Sequence, residues 1–358
     1  MPDFRILVIN PGSTSTKIAV FDDDKEVFKK TLNHKPEELA PFEKLTDQFE
    51  FRKNIVEEAL EENIIHVDSI DAVVGRGGLL RPVPSGIFKI NDKMLADLKD
   101  PSIWGRVHAS NLGAFIAKSI ADELNVPCFI ADPVTVDEME DIARISGVPE
   151  IVRQSLFHAL NIRAIARKTA KELNKTMNEC NLIAVHMGGG ISVAAIKKGK
   201  VVDVNNALLG MGPFSPQRAG ALPLGGVIDM CFSGEHTKDE IEKKFTKSSG
   251  LIAYLGTDNG LEIENKIEKG NEKFKQIVQA MAYQVAKEVG AYATVLKGEV
   301  DAIFLTGGLA YDKFLTGWIK ERVAFIAPIY MFPGEGEMEA LAEAGLRVLT
   351  GIEKAKTY

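Results

Sequence analysis

The chain repeats one pattern, a buried strand followed by a turn and a second strand, at two distant places. In the first copy the apolar run Ile6 to Ile9 ends at Asn10-Pro-Gly, and a second apolar run, Ile18 to Phe21, follows. Such a run is typical of a strand buried on both faces, and Asn-Pro-Gly predicts a turn. The second copy runs from Asn181 to Ile196 and turns at three glycines.

A third predicted strand follows each copy, Glu26 to Leu32 and Lys200 to Val204. When Ile6 is laid over Leu182, Asn10 falls on His186 and Gly12 on Gly188. A unit used twice indicates an internal duplication, and hence two similar α/β halves whose turns flank a nucleotide cleft. Chance similarity of two β-meanders is the alternative.

The first turn collects hydrogen-bond donors and a cation in Ser13, Thr14, Ser15, Thr16 and Lys17. A phosphate group spreads its charge over several oxygens, and such a turn can bind it. An ordinary surface hairpin is the competing interpretation. The stretch lacks the spacing of a Walker A loop, and no helix follows it.

The composition is that of a globular protein of about two domains. The chain has 358 residues, a net charge of −7 and three cysteines at scattered positions. The charge predicts neither a nucleic acid nor a membrane as partner, and the cysteines suggest a reducing compartment. With no room for a signal peptide before the first strand and no membrane-spanning run, we expect a cytoplasmic protein.

Four further residues stand where α/β proteins place ligands. Arg76 lies among glycines after a buried strand, and Asp132 ends another, where it could bind Mg²⁺. His108 precedes the predicted helix Leu112 to Leu124, and Arg218 lies in a loop rich in glycine and proline. Each has a plainer interpretation: an exposed loop arginine, a turn aspartate, or a histidine with a local hydrogen bond.

The order of four motifs resembles the acetokinase family of the actin, heat-shock 70 and sugar kinase superfamily. These motifs are Asn10-Pro-Gly-Ser-Thr-Ser-Thr-Lys, His186-Met-Gly-Gly-Gly, Pro216-Gln-Arg-Ala-Gly and Thr306-Gly-Gly-Leu. Further segments, Gly75-Arg-Gly-Gly, Val107-His-Ala-Ser-Asn-Leu-Gly and Ala131-Asp-Pro-Val-Thr-Val-Asp, resemble the butyrate-specific members. The similarity runs from about Arg5 to Gly351.

The resemblance implies two duplicated actin-like (ribonuclease H-like) βββαβαβα domains and the reaction ATP + butyrate ⇌ ADP + butyryl phosphate, with Mg²⁺, in a homodimer. It also implies roles for individual residues. The catalytic residues would be Arg76, His108, His158 and Arg218. The phosphate-binding residues would be Asn10, Ser13, Ser15, Lys17, His186, Gly188, Gly189 and Gly190. Adenosine would contact Gly307 and Gly308, and Mg²⁺ would bind Asp132 and Glu337.

One departure from the family pattern concerns the acyl-site arginine. Acetate kinases carry it a few residues before a Val-Val-His-Gly-Gly motif, where this chain has Ala72. Arg76 as its substitute is therefore an inference. The chemistry agrees with a carboxylate acceptor, since an ionised carboxylate needs alignment and charge cancellation but no general base.

We expect one domain at residues 1–150 plus 334–358 and a nucleotide-binding domain at 151–333. The two domains would close on nucleotide about hinges near residues 147–153 and 332–336.

Alternative functions stay open at this point. An acetate, propionate or branched-chain fatty acid kinase would share these motifs. A nucleotide-driven chaperone or filament would share the fold, although no residues are left for a peptide-binding domain.

Overall fold

A computed structural model of the protein describes residues 2–105 and 108–358. The chain divides into two compact units, Met1–Val136 with Gly336–Tyr358, and Asp137–Glu335. The chain therefore passes from the first unit to the second after Val136 and returns after Glu335. The sequence-based domain boundaries lie after residues 150 and 333. Those boundaries stay a proposal about functional domains. Among the described residues, none of the helices combines the length and apolar composition that crossing a membrane requires.

The first unit is built on a mixed sheet. Its strands are β1 (Arg5–Pro11), β2 (Ser15–Asp22), β3 (Lys25–Asn33), β4 (Ala72–Arg76), β5 (Ile87–Lys89), β6 (Cys128–Ala131) and β12 (Lys356–Thr357). Their spatial order is β12-β5-β6-β4-β1-β2-β3. Strand β1 pairs antiparallel with β2 and parallel with β4. The helices of this unit are α1 (Pro36–Leu39), α2 (Phe49–Glu62), α3 (Asp92–Lys99), α4 (Leu112–Leu124) and α13 (Glu337–Leu349).

The second unit is built on a smaller sheet. Its strands are β7 (Asn181–Met187), β8 (Ile191–Lys197), β9 (Lys200–Val204), β10 (Ala302–Gly307) and β11 (Ile329–Pro333), in the order β11-β10-β7-β8-β9. Its helices are α5 (Asp141–Arg144), α6 (Ala159–Glu172), α7 (Leu224–Phe232), α8 (Lys238–Lys247), α9 (Gly250–Leu255), α10 (Gly260–Glu268), α11 (Glu272–Val295) and α12 (Lys313–Val323).

The two sheets repeat one topology. Strands β3-β2-β1-β4-β6 of the first unit correspond to β9-β8-β7-β10-β11 of the second, with the same parallel and antiparallel pairings. In each unit the register shifts between the second and third strands, at Val20/Phe21 and at Ala195/Ile196. The duplication predicted from the sequence is therefore confirmed at the level of the fold.

Successive side chains along a strand point to opposite faces of its sheet, and helices cover both faces of each sheet. On β1, Leu7 and Ile9 belong to the core under α2 and α4, whereas Ile6 lies on the other face against Gly345 of α13. On β7, Ile183, Val185 and Met187 pack in the core with α11, which leaves His186 on the face that carries α6. This alternation decides which helix each site residue meets.

One strand is shorter than its sequence pattern indicates. The apolar run Phe325 to Met331 is typical of a strand, but β11 begins only at Ile329. Helix α12 continues to Val323, a turn follows, and Phe325 is 85 % exposed. Pro328 directly precedes the strand, and a proline cannot donate the backbone hydrogen bond of an interior strand position.

Candidate functional site

The first predicted phosphate-binding turn closes as a tight loop between β1 and β2. The N–H of Gly12 donates to the carbonyl of Ser15 at 2.7 Å, and Ser13 and Thr14 are exposed. Lys17 is the ladder partner of Asn10, since the two residues lie opposite each other on the paired strands. The predicted residues Asn10, Ser13, Ser15 and Lys17 are thus gathered at one end of β1 and β2.

Asn10, Arg76 and Glu337 meet in the first unit. The amide Nδ2 of Asn10 donates to Oε2 of Glu337 at 2.9 Å, and Nη1 of Arg76 forms an ion pair with the same oxygen. Glu337 is the first residue of α13, which packs on the face of the sheet toward which Asn10 points. The predicted clamp and one predicted metal ligand therefore neutralise each other.

Asp132 already has a structural partner. Its Oδ1 accepts a hydrogen bond from the N–H of Gly86 at 2.8 Å, and its own N–H donates to the carbonyl of Gly86 at 3.0 Å. The side chain is buried, and the backbone has a positive φ of 37°.

Mg²⁺ commonly takes one or two carboxylates and completes its shell with waters and phosphate oxygens. The carboxylates of Asp132 and Glu337 fit that donor type, although no cluster of three or more acidic, histidine or cysteine residues exists among the described residues.

His108 caps the short 3₁₀ turn Ala109–Asn111 that precedes α4. Its Nδ1 accepts from the N–H of Ser110 at 3.2 Å, so a neutral ring carries its proton on Nε2. Asn111, the residue before α4, does not cap that helix with its side chain: its Oδ1 accepts from the N–H of Leu79 and its Nδ2 donates to the carbonyl of Leu98. His108 is exposed, so its Nε2–H can act as a donor toward a ligand.

The second predicted phosphate-binding turn is held by Ser215 and bordered by Arg218. The Gly188 N–H donates to the Gly190 carbonyl, and the Ser215 hydroxyl donates to the Gly189 carbonyl at 2.7 Å. Arg218 lies so close to Gly190 that a Cβ there would come within 2.1 Å of Nη1. Glycine is therefore required at this position for the arginine to reach the turn.

The charge of Arg218 has little compensation. Nη1 donates to the carbonyl of Ala207, while Nε is buried and has no hydrogen-bond partner among the residues described here. Burial lowers the pKa of Arg218 below its usual value, which still leaves the guanidinium charged at neutral pH. A half-buried cation of this kind beside a glycine turn is suited to bind an anion.

His158 and His186 stack face to face in the second unit. Their ring centroids are 4.0 Å apart and their planes are inclined by 16°. His186 Nδ1 lies 2.8 Å from Asn161 Oδ1, and His158 Nδ1 lies 2.8 Å from Ser192 Oγ. Because the Asn161 amide donates its Nδ2 to the Glu335 carbonyl, its oxygen accepts from His186. The Nε2 of His186 is then left on the side of Gly188.

A cavity of about 480 Å³ lies next to the predicted adenosine turn. Gly308 lines it together with Asn259, Gly260, Leu261, Glu264, Leu309, Tyr311 and Asp312. Gly307 is not among the lining residues. It has a φ of 88°, and a Cβ there would come within 2.3 Å of the Met187 carbonyl. Of the two predicted residues, Gly308 is at the cavity, and Gly307 permits the close approach of β10 to β7.

Sequence reasoning missed several residues that shape these sites. Asn161, Ser192 and Ser215 hold the histidines and the second turn, and Asn259 and Tyr311 line the cavity. The asparagines and serines are of types common in caps and turns throughout the chain, and Tyr311 lies in no motif. The one available signal was the placement of Asn161 three residues after His158 at the start of a helix, which puts both in its first turn.

The two repeated sheets and their covering helices define a duplicated actin-like α/β protein. A solved structure of acetate kinase from Porphyromonas gingivalis has the same fold, with a TM-score of 0.79 over 98 % of this chain and 100 % of the other at 19 % identity. Residues 148–316 match the model of the acetokinase family. Butyrate kinases 2 and 1 of Clostridium acetobutylicum are 54 % and 52 % identical to the chain, each over 99 % of both sequences. The chain belongs to the acetokinase family.

Proposed function

We propose that the protein is a short-chain fatty acid kinase that transfers the γ-phosphoryl group of ATP reversibly to butyrate. The carboxylate oxygen of butyrate attacks the γ-phosphorus, and the bond from that phosphorus to the β–γ bridging oxygen breaks. The products are butyryl phosphate and ADP. Family membership and identity above 50 % to two butyrate kinases support this substrate.

The observation that carries the proposal is the guanidinium of Arg218 beside the second glycine turn, whose buried Nε has no hydrogen-bond partner among the described residues. The attacking carboxylate and the phosphoryl group are both anions, so the barrier consists largely of charge repulsion and alignment. Arg218 can offset the charge that spreads over the phosphoryl oxygens in the transition state. No general base is needed, because the nucleophile is ionised at neutral pH.

The remaining predicted residues take supporting roles in this proposal. The turns at Ser13–Ser15 and Gly188–Gly190 would donate backbone N–H groups to phosphate oxygens, and the cavity at Gly308 would hold the adenosine. Arg76 and His108 would bind the acyl carboxylate, once Arg76 is released from Glu337. His158 and His186 would donate to the transferred phosphoryl group. Asp132 and Glu337 would hold Mg²⁺, which supplies a Lewis acid for the phosphate charge when bound.

Trapping the acyl phosphate with hydroxylamine tests the activity directly. The protein is incubated with Mg·ATP and, in parallel, with acetate, propionate, butyrate or isobutyrate, and the acyl hydroxamate is measured. We expect the highest kcat/KM with butyrate. A higher value with acetate, propionate or isobutyrate would identify a different member of the family. A protein that yields no hydroxamate with any acid would instead favour a chaperone or filament of the same fold.

We also propose that the chain forms a homodimer, as the resemblance to the family implies. Helix α7 exposes Leu224, Ile228 and Phe232, which are 77 %, 56 % and 86 % exposed, and burial of such a face would be favourable. Sedimentation equilibrium gives the mass of the assembly. A mass near the 39.1 kDa of one chain would contradict the proposal.

A further inference from the structure

Arg52 lies beneath the first phosphate-binding turn. It belongs to α2, whose Glu- and Lys-rich sequence predicts an amphipathic helix, and its side chain has no exposed surface. Nη1 donates to the carbonyls of Gly12 at 2.8 Å and Ser15 at 3.1 Å, and Nη2 donates to the carbonyl of Ser13 at 3.0 Å. One guanidinium group therefore binds three carbonyls of a single turn.

The other acceptors around the Arg52 guanidinium are also neutral. Nε and Nη2 donate to Gln48 Oε1, and Nη1 lies 3.2 Å from Thr16 Oγ1. No carboxylate pairs with Arg52 in the described part of the chain. Burial lowers the pKa of Arg52 to about 10, so the group keeps its charge at neutral pH. Burying a charge that has no carboxylate partner is costly, and the hydrogen bonds from Arg52 to the turn carbonyls and to Gln48 offset that cost.

The geometry of the peptide bond links these contacts to phosphate binding. In a trans peptide the C=O and the following N–H point in opposite directions. With the Gly12 and Ser13 carbonyls directed at the guanidinium, the N–H groups of Ser13 and Thr14 are directed to the opposite, exposed side of the turn. The same contacts place a full positive charge directly behind those donors.

We propose that Arg52 is the positioning residue of the first phosphate-binding turn: it fixes the carbonyls of Gly12, Ser13 and Ser15 so that the turn presents its N–H groups to the transferred phosphoryl group. This inference rests on the proposed phosphoryl transfer. Arg52 does not itself touch the phosphate. The second turn has a corresponding device in Ser215, whose buried hydroxyl holds the carbonyl of Gly189.

Two substitutions separate the geometry from the charge. Arg52→Lys keeps the charge but offers one donor centre in place of the planar fork, and Arg52→Met removes both. We expect kcat to fall at least ~10-fold in Arg52→Lys and further in Arg52→Met, with the KM for ATP changed by less than ~3-fold, because a misplaced turn weakens the transition state more than the bound nucleotide.

The matched control is Arg163→Met. Arg163 is also a buried helical arginine; it belongs to α6 of the second unit and donates to the carbonyl of Gly199. Loss of a buried arginine lowers the melting temperature in both Met variants, but only Arg52→Met should lower kcat. Equal kcat losses in the two variants, or wild-type kcat in Arg52→Lys, would overturn the proposal.

Two readouts go beyond stability. Methylguanidinium at millimolar concentration should restore part of the kcat of Arg52→Ala and none of any loss in Arg163→Ala. Amide hydrogen exchange in the peptide covering residues 9–17 should quicken in Arg52→Met and stay unchanged in Arg163→Met. Exchange does not depend on turnover, so it tests the positioning role even if no acid proves to be a substrate. Unchanged exchange in Arg52→Met would refute it, and so would a failure of rescue in a folded Arg52→Ala.

Discussion

The side chain of Asn10 donates a hydrogen bond to Glu337 at 2.9 Å, and Arg76 binds the same carboxylate oxygen. The equivalent position in the second unit, His186, forms a hydrogen bond to Asn161 in the first turn of α6. Each unit thus joins the end of its first strand to the start of the helix that covers the same face. Arg76 and the proposed Mg²⁺ would share the carboxylate of Glu337, so the two proposed ligand sites are linked.

Removing the acidic charges should raise the need for magnesium. In Glu337→Gln and Asp132→Asn we expect a higher Mg²⁺ concentration at half-maximal activity, because each change removes a charged oxygen ligand. Asn at position 132 still accepts from the Gly86 N–H, so the fold should persist. The control is Glu339→Gln. Glu339 lies on α13, like Glu337, but its side chain is more exposed and forms an ion pair with Lys29 of β3. A magnesium titration identical to wild type would show that both acids are structural.

Arg218→Ala should lower kcat/KM at least ~100-fold, a loss of about 3 kcal/mol of transition-state stabilisation, because it removes the positive charge beside the second turn. Steady-state kinetics with ATP and butyrate measure this loss. Arg322→Ala, a change on α12, should leave kcat/KM near wild type. Near-normal turnover in Arg218→Ala would remove this arginine from the site.

Arg76→Ala should also lower kcat/KM at least ~100-fold, but through the acyl substrate. We expect the KM for butyrate to rise more than the KM for ATP, because Arg76 is assigned to the carboxylate. Arg76→Lys should recover part of the loss, since it keeps the charge without the bidentate fork. If only the KM for ATP changes, the assignment of Arg76 to the acyl group is wrong.

Asn161 should govern His186 through their hydrogen bond. Asn161→Ala leaves Nδ1 of His186 without its acceptor, and we expect kcat to fall at least ~10-fold with little change in either KM. Asn161→Asp places a carboxylate at the same atom and should move the histidine-dependent limb of the pH–rate profile to higher pH. Identical pH profiles for wild type and Asn161→Asp would show that His186 does not titrate in the reaction.

His34 should make the protein acid-sensitive. Burial, aided by the charge of Arg52, lowers the pKa of His34 to about 4 from an ordinary 6.5. Between pH 6.5 and 4, His34 is therefore protonated in the unfolded chain but neutral in the folded chain. The free energy of unfolding falls as the pH drops through this range. Urea denaturation across that range should give a shallower pH dependence for His34→Gln. His66→Gln, at an exposed site, should match wild type; a slope unaltered in His34→Gln would contradict the prediction.

Local pattern was sufficient for much of the fold. The apolar runs and turn residues predicted β1, β2 and β7, and helix α4 has the predicted ends Leu112 and Leu124. The aligned positions of Asn10 and His186 do occupy equivalent strand ends. These features depend on residues adjacent in the chain, whose spacing alone sets backbone conformation and the alternation of faces.

Tertiary structure decided which side chains meet. Nothing in the sequence near Glu337 indicates that it pairs with Arg76, and nothing in the predicted amphipathic helix α2 distinguishes Arg52 from its other charged residues. Its burial depends on how α2 packs on the sheet beneath the first turn, and the pairing of Glu337 depends on where α13 returns to the sheet. Contacts of this kind join residues far apart in the chain, so they follow from packing and strand register rather than from any local pattern.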